Sequence, residues 1–579
     1  MRFYLLLALV NGACFLPLYA LNARAAPNPF SFLVGQDRTT RTWLLRHMYF
    51  RFSSDPFRIH FDFTFFALLA AAAGATGPAA RLVATLLLAL GFVEVLYTTV
   101  IHSVFKRAPA LASDLSLLGA GLSLAQRQAF WMVPAVLGVL AAIVWAAAAA
   151  TSVLFAIAPQ SPWPTVAAAA LLLPPCFYHF ARHYELYIWR TVYSPLLHFA
   201  LNLRFSALVR GLHHRDAAHY ERHNLYGRVR LEGAPNVVIL CVESYGSIVY
   251  RDPRAARGIS DLLRTHEQHL TLRGYRFAST FSDAPLFAGG SWLSYASFLY
   301  GTLIDDLQLY DGLFSHGTGF AAYESLFHVL RRNGYENVLL CPLGGVDHHT
   351  VDWASLDRCF HAQRRIGIGD LGYVGPRLNY LGMVRRFSPL DQFSLNYGYE
   401  TARSGGGRFS LFFCTLNSHY PWHSVTEASD DWRSLNAPGA APPKERRRPT
   451  VERYNGAIRY QLDYILRFVA DRADEAPLVI VFGDHQPPFI TPERLGKHTP
   501  VHVLSRDKAL IDVLLAHGFA GTMDLTGIEP RRIRHEGFLS LLMRGLQSAF
   551  GTEPGLELPY RERGSTVFEE ARAELLAAR

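Results

Sequence analysis

The sequence predicts a two-part protein: an N-terminal transmembrane α-helical bundle followed by a C-terminal α/β domain with a mostly parallel sheet. The first observation behind this is the long Ala/Leu/Val runs that fill roughly the first 180 of 579 positions. Runs of that length belong in lipid. The second is a change of period at Pro235, where short β-branched apolar runs of the kind buried on both sheet faces begin. The third is that helical patterns alternate with those runs, as a parallel sheet requires.

Composition narrows the class. Half the residues are hydrophobic, which excludes a disordered, collagen-like or small disulfide-stapled chain. The net charge is +9, from 56 Lys and Arg against 47 Asp and Glu. No zinc-finger spacing or RNA-binding signature accompanies it, so nucleic acid is set aside and anionic lipid headgroups fit better. The six cysteines form no CxxC pair, and Cys341 with Cys359 is the one candidate disulfide.

Five apolar stretches read as spans or near-spans: 3–21, 62–77, 81–101, 130–158 and 164–181. The first, ending in Ala23-Arg24-Ala25-Ala26, also reads as a cleavable signal peptide. Four or five spans both leave the C-terminal half outside the cytoplasm. The loop cations argue the reverse. Arg24, Arg38, Arg41, Arg46, Arg51 and Arg58 lie in one loop and Lys106, Arg107 and Arg127 in the next on that side, against Arg81 opposite. An interfacial helix over Trp43 to Phe52, lying on headgroups, is one way out, and the loop charges otherwise stand against the extracytoplasmic placement. Glu94, inside the third run, reads as a capped or snorkelling group. Residues 182–234, rich in Arg, His, Tyr and Trp, read as amphipathic surface helices with His213, His214, His219 and His223 solvated.

In the second half, strands are expected at Val237–Val242, Val338–Cys341, Phe409–Leu416 and Leu478–Phe482, with helices over 258–273, 291–300, 322–333 and 452–472. Gly405-Gly406-Gly407 and the 437–449 stretch read as loops. Ligands of open α/β sheets sit beyond the carboxyl ends of the strands. There the sequence places Glu243-Ser244-Tyr245-Gly246, Asn417-Ser418-His419-Tyr420-Pro421-Trp422 and Gly483-Asp484-His485. Two carboxylates and an imidazole suit a divalent ion such as Mn²⁺ or Zn²⁺. Ser291, after Gly289-Gly290, opens a helix whose N-terminus favours negative charge. Read alone it is an N-cap serine; beside a metal cluster it reads as a nucleophile.

The Val-Glu243-Ser, Gly-Gly-Ser291, Asn-Ser-His419-Tyr-Pro and Phe-Gly-Asp484-His485 motifs, in that order behind a set of spans, resemble the lipoteichoic acid synthase type of membrane phosphoglycerol transferases. These belong to the sulfatase and alkaline phosphatase superfamily. The resemblance runs over about 235–505. It implies an alkaline phosphatase/sulfatase-like fold in which Glu243, Ser291, Asp484 and His485 hold the metal and Ser291 is the nucleophile, where those synthases use threonine. It implies a substrate-binding role for His419. Trp353 is a match for a headgroup-binding tryptophan, although Asp352-Trp353-Ala354-Ser355 departs from the family's Trp-x-Arg, which puts an arginine partner, with Arg358 the candidate, in doubt. Formylglycine sulfatase chemistry is disfavoured, because Ser291-Trp292-Leu293-Ser294-Tyr295 lacks the Pro and Arg of C/S-x-P-x-R. His498 and His502 are the candidates for a second metal, and one ion is expected: Mn²⁺ first, with Zn²⁺ or Mg²⁺ as alternatives.

The expected activity is transfer of a phospholipid headgroup phosphate, phosphoglycerol or phosphoethanolamine, through Ser291 to an envelope glycan or lipid acceptor. A metal-dependent phosphodiesterase or sulfatase-like hydrolase, an inactive regulatory relative and a transporter or scaffold are the alternatives. The expected setting is a bacterial inner membrane, multi-pass, with the catalytic domain extracytoplasmic. The expected domains are a membrane part (1–182), an interfacial linker (183–234), a catalytic domain (235–550) and a helical tail (551–579).

Overall fold

The computed structural model describes residues 1–17, 58–105, 111, 114–115, 132–182, 192–212, 215–314, 318–343, 353–379, 387–420, 422, 427–438, 450–488 and 490–577. Outside them lie the Trp43–Phe52 helix, the Ala23–Ala26 site, the loop cations other than Arg58 and Arg81, His213, His214, Pro421 and most of the 437–449 loop. The chain forms two compact units, Met1–Ala207 and Leu208–Arg579.

In the first unit a helix forms at each apolar stretch: Arg2–Cys14, Phe61–Ala72, Pro78–Phe105, Met132–Ala156 and Trp163–Arg182. Two segments, Pro78–Ile101 and Pro134–Ala156, are long and apolar enough to cross a membrane. The helices Arg2–Cys14 and Phe61–Ala72 have 13 and 12 residues. At 1.5 Å per residue they reach roughly 20 Å, short of a hydrocarbon core of about 30 Å. Among the described residues the expected four or five spans are therefore two helices of spanning length. The sequence reading ran through helix ends: Ala-rich 62–77 breaks at Gly74, whose φ of +66° ends the helix. Among the described residues, 33% and 22% of the two long helices' most apolar windows are buried, so most of each helix is left uncovered. Trp145 is 75% exposed on one of them, an outward apolar face of the kind lipid covers.

Glu94 is capped rather than snorkelling. Its Oε2 accepts from Tyr193 Oη at 2.5 Å and its Oε1 from Thr98 Oγ1 at 2.7 Å, with His198 Nδ1 2.5 Å from Oε1.

The second unit is built on an eight-stranded sheet. In chain order its strands are β1 Val237–Val242, β2 Arg276–Asp283, β3 Glu336–Cys341, β4 Arg364–Gly367, β5 Phe409–Cys414, β6 Leu478–Gly483, β7 His498–Ser505 and β8 Ile533–Arg534. They lie side by side as β8-β2-β7-β6-β1-β5-β3-β4. Only β7 runs against the rest, so the sheet is mostly parallel. Every residue of β1 and β6 is buried, which is why both read as unbroken apolar runs. The register sets Gly483 opposite Val242 and Cys414 opposite Cys241. The residues after these three strands therefore emerge level at one edge.

Strands β2 and β7 escaped the sequence reading because their interior is polar. Ser279, Ser282 and His502 are wholly buried and satisfied across strands: Ser279 Oγ lies 2.8 Å from His502 Nδ1, and Ser282 Oγ 2.8 Å from His535 Nδ1. Such residues look solvent-facing in a sequence. Cys341 and Cys359 are both free thiols, so the candidate disulfide is not formed. His219 is buried, with Nε2 3.3 Å from the Val567 carbonyl, and His223 lies 3.2 Å from Glu570. Neither is solvated as expected, because the Val567–Ala577 helix packs over them.

Candidate active site

Asp484 and Glu243 leave the neighbouring strands β6 and β1 one residue past their paired ends. Gly483 permits this close pairing, because a Cβ there would stand 1.9 Å from the Tyr245 carbonyl oxygen. Ser244 turns the chain away from β1 with φ +59°, a left-handed conformation that costs a non-glycine residue about 1 kcal/mol or more. It is held there because its N–H donates to Asp484 Oδ1 at 2.7 Å while Tyr454 Oη donates to its carbonyl at 2.8 Å. Ser418 Oγ donates to the Glu243 carbonyl at 2.7 Å, and the Glu243 N–H donates to Thr415 Oγ1 at 3.1 Å. The loop after β5 thereby braces the loop after β1.

The side chains of Glu243, Asp484 and His485 converge, with one potential ligand atom from each within 4.8 Å of the others. His485 Nε2 is 3.6 Å from Glu243 Oε1 and 3.4 Å from Asp484 Oδ2. Two ligands on one tetrahedral ion at bonds of 2.0–2.1 Å would stand about 3.3 Å apart. His485 Nδ1 lies 3.0 Å from the Gln486 carbonyl. That contact assigns the ring proton to Nδ1 and leaves the Nε2 lone pair toward the carboxylates. Asp484 Oδ2 is buried without a hydrogen-bond partner. An orphaned carboxylate oxygen, a second buried carboxylate and an imidazole lone pair are a donor set that fits a divalent cation.

The electrostatics agree with that fit. Burial, reinforced by the charge of Glu243, holds the Asp484 carboxyl well above the usual carboxylate range. Burial pushes Glu243 upward too, but the nearby His419 and His485 imidazoles and the hydrogen bond from Ser244 outweigh it and bring Glu243 below its ordinary value. Two carboxylates this close cannot both ionise without added positive charge.

Ser291 is the first residue of the helix Ser291–Tyr300, and the N-cap is Gly290, at φ +70°. The serine is therefore not the cap. Its Oγ donates instead to Glu243 Oε2 at 3.0 Å, joining the helix N-terminus to the carboxylate cluster. The helix is pinned from behind by Phe298, stacked 3.9 Å from Phe482 of β6 and 4.2 Å from Phe538. The strand that carries Asp484 thus also positions the helix that carries Ser291.

His419 follows β5 with its Nδ1 2.7 Å from the Tyr420 carbonyl. It is near enough to Glu243 for its charge to lower that carboxyl. Trp353 opens the helix Trp353–Phe360, and its side chain lies outside the described residues. Arg358 Nε donates to the Phe314 carbonyl. His502 is taken up by Ser279 and by Tyr245 Oη at 2.9 Å, and His498 lies 3.1 Å from Asp283. Neither joins the metal-ligand group.

The sequence reading missed Asp391. Its Oδ2 accepts from the N–H groups of Leu416 and Asn417 at 2.9 and 2.6 Å and from Gln461 Nε2 at 2.7 Å. It anchors the loop that presents His419. Burial raises its carboxyl to about 7, against the pull of those hydrogen bonds. The only sequence signal was an acid in the first turn of a helix, where solvated acids abound.

No family model matches the chain, and no curated protein matches it in sequence. Several solved structures resemble it. The lipoteichoic acid synthase LtaP from Listeria monocytogenes is 12% identical, with a TM-score of 0.34 over 59% of this chain and 79% of that one. The C-terminal periplasmic domain of EptC from Escherichia coli is 13% identical, with a TM-score of 0.35 over 58% and 87%. The Streptococcus pyogenes phosphoglycerol transferase GacH, in complex with sn-glycerol-1-phosphate, is 11% identical, with a TM-score of 0.36 over 64% and 91%.

Proposed function

We propose that this protein is a metal-dependent transferase that moves a phospholipid headgroup phosphate, phosphoglycerol or phosphoethanolamine, to a hydroxyl of an envelope glycan or lipid. The observation that carries the reading is Ser291 Oγ, 3.0 Å from Glu243 at a helix N-terminus, beside the buried and unpartnered Asp484 Oδ2. A hydroxyl with no role in capping, aimed into an electron-rich cluster, is poised as a nucleophile.

Glu243, Ser291, Asp484 and His485 would hold one divalent ion, Mn²⁺ first and Zn²⁺ or Mg²⁺ as alternatives. Bound there, it would lower the hydroxyl pKa and offset charge on the phosphoryl oxygens. Ser291 Oγ attacks phosphorus as its proton leaves along the hydrogen bond to Glu243. The Oγ–P bond forms, and the bond to the glyceride oxygen breaks. His419 gives that oxygen its proton, so diacylglycerol departs and the headgroup phosphate remains as an ester on Ser291. In the second half an acceptor hydroxyl forms the new P–O bond as the Oγ–P bond breaks; Ser291 Oγ takes back its proton from Glu243, and the acceptor's proton goes to His419. The N–H groups of Ser291 and Trp292, which open the helix, stabilise charge on the phosphoryl oxygens. Trp353 is the proposed headgroup contact, on its motif alone.

The apolar helices suit a donor that never leaves the bilayer. We place the chain in a bacterial inner membrane as a multi-pass protein with the α/β domain extracytoplasmic. The test is diacylglycerol release from labelled phosphatidylglycerol and phosphatidylethanolamine, using chelator-stripped protein resupplied with Mn²⁺ or Zn²⁺. Release that needs both metal and Ser291 supports the reading and names the donor. Metal binding with no release from either lipid overturns it.

A further inference from the structure

A second cavity opens on the same sheet edge. It measures about 270 Å³, a little under the roughly 300–1,000 Å³ of pockets that take drug-sized ligands. It is therefore sized for one small unit and excludes acyl chains. Its walls carry three carboxylates, Asp283, Asp305 and Glu536, against Lys497 and Arg534, with His498 beside them.

The pocket's place in the fold ties it to the nucleophile. Asp283 ends β2 and His498 begins β7, directly opposite one another. Since β7 neighbours β6, Asp283 stands two strand spacings, about 10 Å, from the strand end that delivers Asp484. Lys497 Nζ donates to the Pro285 carbonyl at 2.6 Å, and the Ala284 N–H donates to the Lys497 carbonyl at 3.1 Å. Asp283 to Pro285 thus form the pocket wall, and the same stretch of chain runs on through Gly289-Gly290 to Ser291. On the other side, the His498 carbonyl accepts from the Ser247 N–H at 2.9 Å, and Ser247 Oγ accepts from Gln486 Nε2 at 2.8 Å. The two turns that carry Glu243 and His485 therefore abut the pocket.

The chemistry of the lining differs from that of the ligand cluster. Three carboxylates outnumber the two permanent cations, so a phosphate gains nothing there. A vicinal polyol, in which each hydroxyl both donates and accepts, finds carboxylates to donate to and cations to accept from. Among the described residues no Phe, Tyr or Trp lines the pocket, so no broad aromatic face is offered to a sugar. We infer that this pocket is the acceptor subsite of the transferase proposed above, holding a neutral polyol or the edge of a single sugar so that one hydroxyl reaches the phosphorus. The inference rests on that reading for its role in transfer. The attacking hydroxyl forms the P–O bond as Ser291 Oγ leaves, and its proton passes to His419.

Two measurements test it on the full chain in a sugar-free detergent. The first is saturation-transfer NMR to glycerol and methyl α-glucoside with chelated Ser291→Ala protein. Transfer is expected in that background and should be lost on adding Asp305→Asn, and separately Arg534→Gln, two partly exposed positions where folding is preserved. The absence of transfer to either polyol, transfer unchanged by both substitutions, or displacement of the polyol by inorganic phosphate overturns the inference. The second uses labelled phosphatidylglycerol with metal and glycerol. Losing one charged hydrogen-bond partner should lower the ratio of transferred to hydrolysed headgroup about tenfold in Asp305→Asn. An unchanged ratio also overturns it. The failures separate. Variant-sensitive polyol binding without donor turnover would sink the transferase and leave a polyol site, whereas donor hydrolysis without polyol binding would sink the pocket alone.

Discussion

Two buried polar regions of the α/β domain differ in how well they are satisfied. Between β2, β7 and the helix after β8, His502 lies 2.8 Å from Ser279 Oγ and 2.9 Å from Tyr245 Oη. In the same region His535 lies 2.8 Å from Ser282 Oγ and 3.2 Å from the Gly483 carbonyl. At the carboxyl edge of β1 and β6, two carboxylates share one imidazole and Asp484 Oδ2 has no partner. The regions are equally buried. The first is closed and acts as structure, while the second keeps an unmet electrostatic demand that a cation would relieve. Burial of polar groups therefore does not mark a site; what marks this one is an unmet carboxylate oxygen converging with a second carboxylate and an imidazole.

The largest expected effect separates the two regions by function. Ser291→Ala should lower diacylglycerol release by about 10⁴-fold or more while Glu243, Asp484 and His485 still retain metal at saturating ion, read by elemental analysis. Comparable release from the variant would remove Ser291 from the mechanism.

Next in size is the response to metal. With free ion at a thousand times its dissociation constant, binding to the native state alone adds about 4 kcal/mol of stability, visible as a rise in thermal midpoint. Asp484→Asn should abolish that rise, yet leave the metal-free protein no less stable, because it removes the cost of holding a buried carboxyl protonated beside Glu243. A full metal-dependent rise in the variant would break the contrast drawn between the two regions.

The closed region should respond to pH instead. Burial lowers His502 and His535 to about 3, below the 6.5 or so of an unfolded histidine. The unfolded chain then binds more protons below that value. The stability each contributes is complete above pH 6.5 and is lost as pH falls toward 3. At pH 5 each costs about 2 kcal/mol relative to pH 7. Urea midpoints of His535→Gln should fall less steeply over that range than those of the unmutated protein, and parallel curves would refute the assignment.

The smallest effect is a structural loss indifferent to metal. Ser282→Ala leaves His535 Nδ1 without its partner and should cost about 1–3 kcal/mol. The same loss is expected with and without the ion. A cost that appears only in the metal-bound form would place this region inside the site after all.

How far the sequence could be read follows from the same physics. The strands β1, β3, β5 and β6 were legible because a strand covered on both faces must be apolar throughout. The residues after them could then be assigned to one edge by the parallel rule. β2 and β7 were not legible, because paired Ser and His residues inside a sheet carry the composition of a surface. Among the described residues the 62–77 stretch falls short of a span because its Ala run continues past Gly74, after the helix has ended at Ala72. The Cys341–Cys359 pairing was inferred by elimination, and spacing along a chain says nothing of whether two thiols meet.

By itself the sequence determined which groups arrive at the sheet edge: Glu243, His419, Asp484 and His485 each follow a strand whose burial is written in its own residues. The tertiary structure decided what those groups do to one another. Glu243 and Asp484 are 241 positions apart and become neighbours only through the register of β1 with β6. Ser291 turns from cap to hydrogen-bond donor because Gly290 takes the cap and Phe298 locks the helix against Phe482. Local period is a property of adjacent residues, whereas an unmet charge is a property of what packing leaves around it.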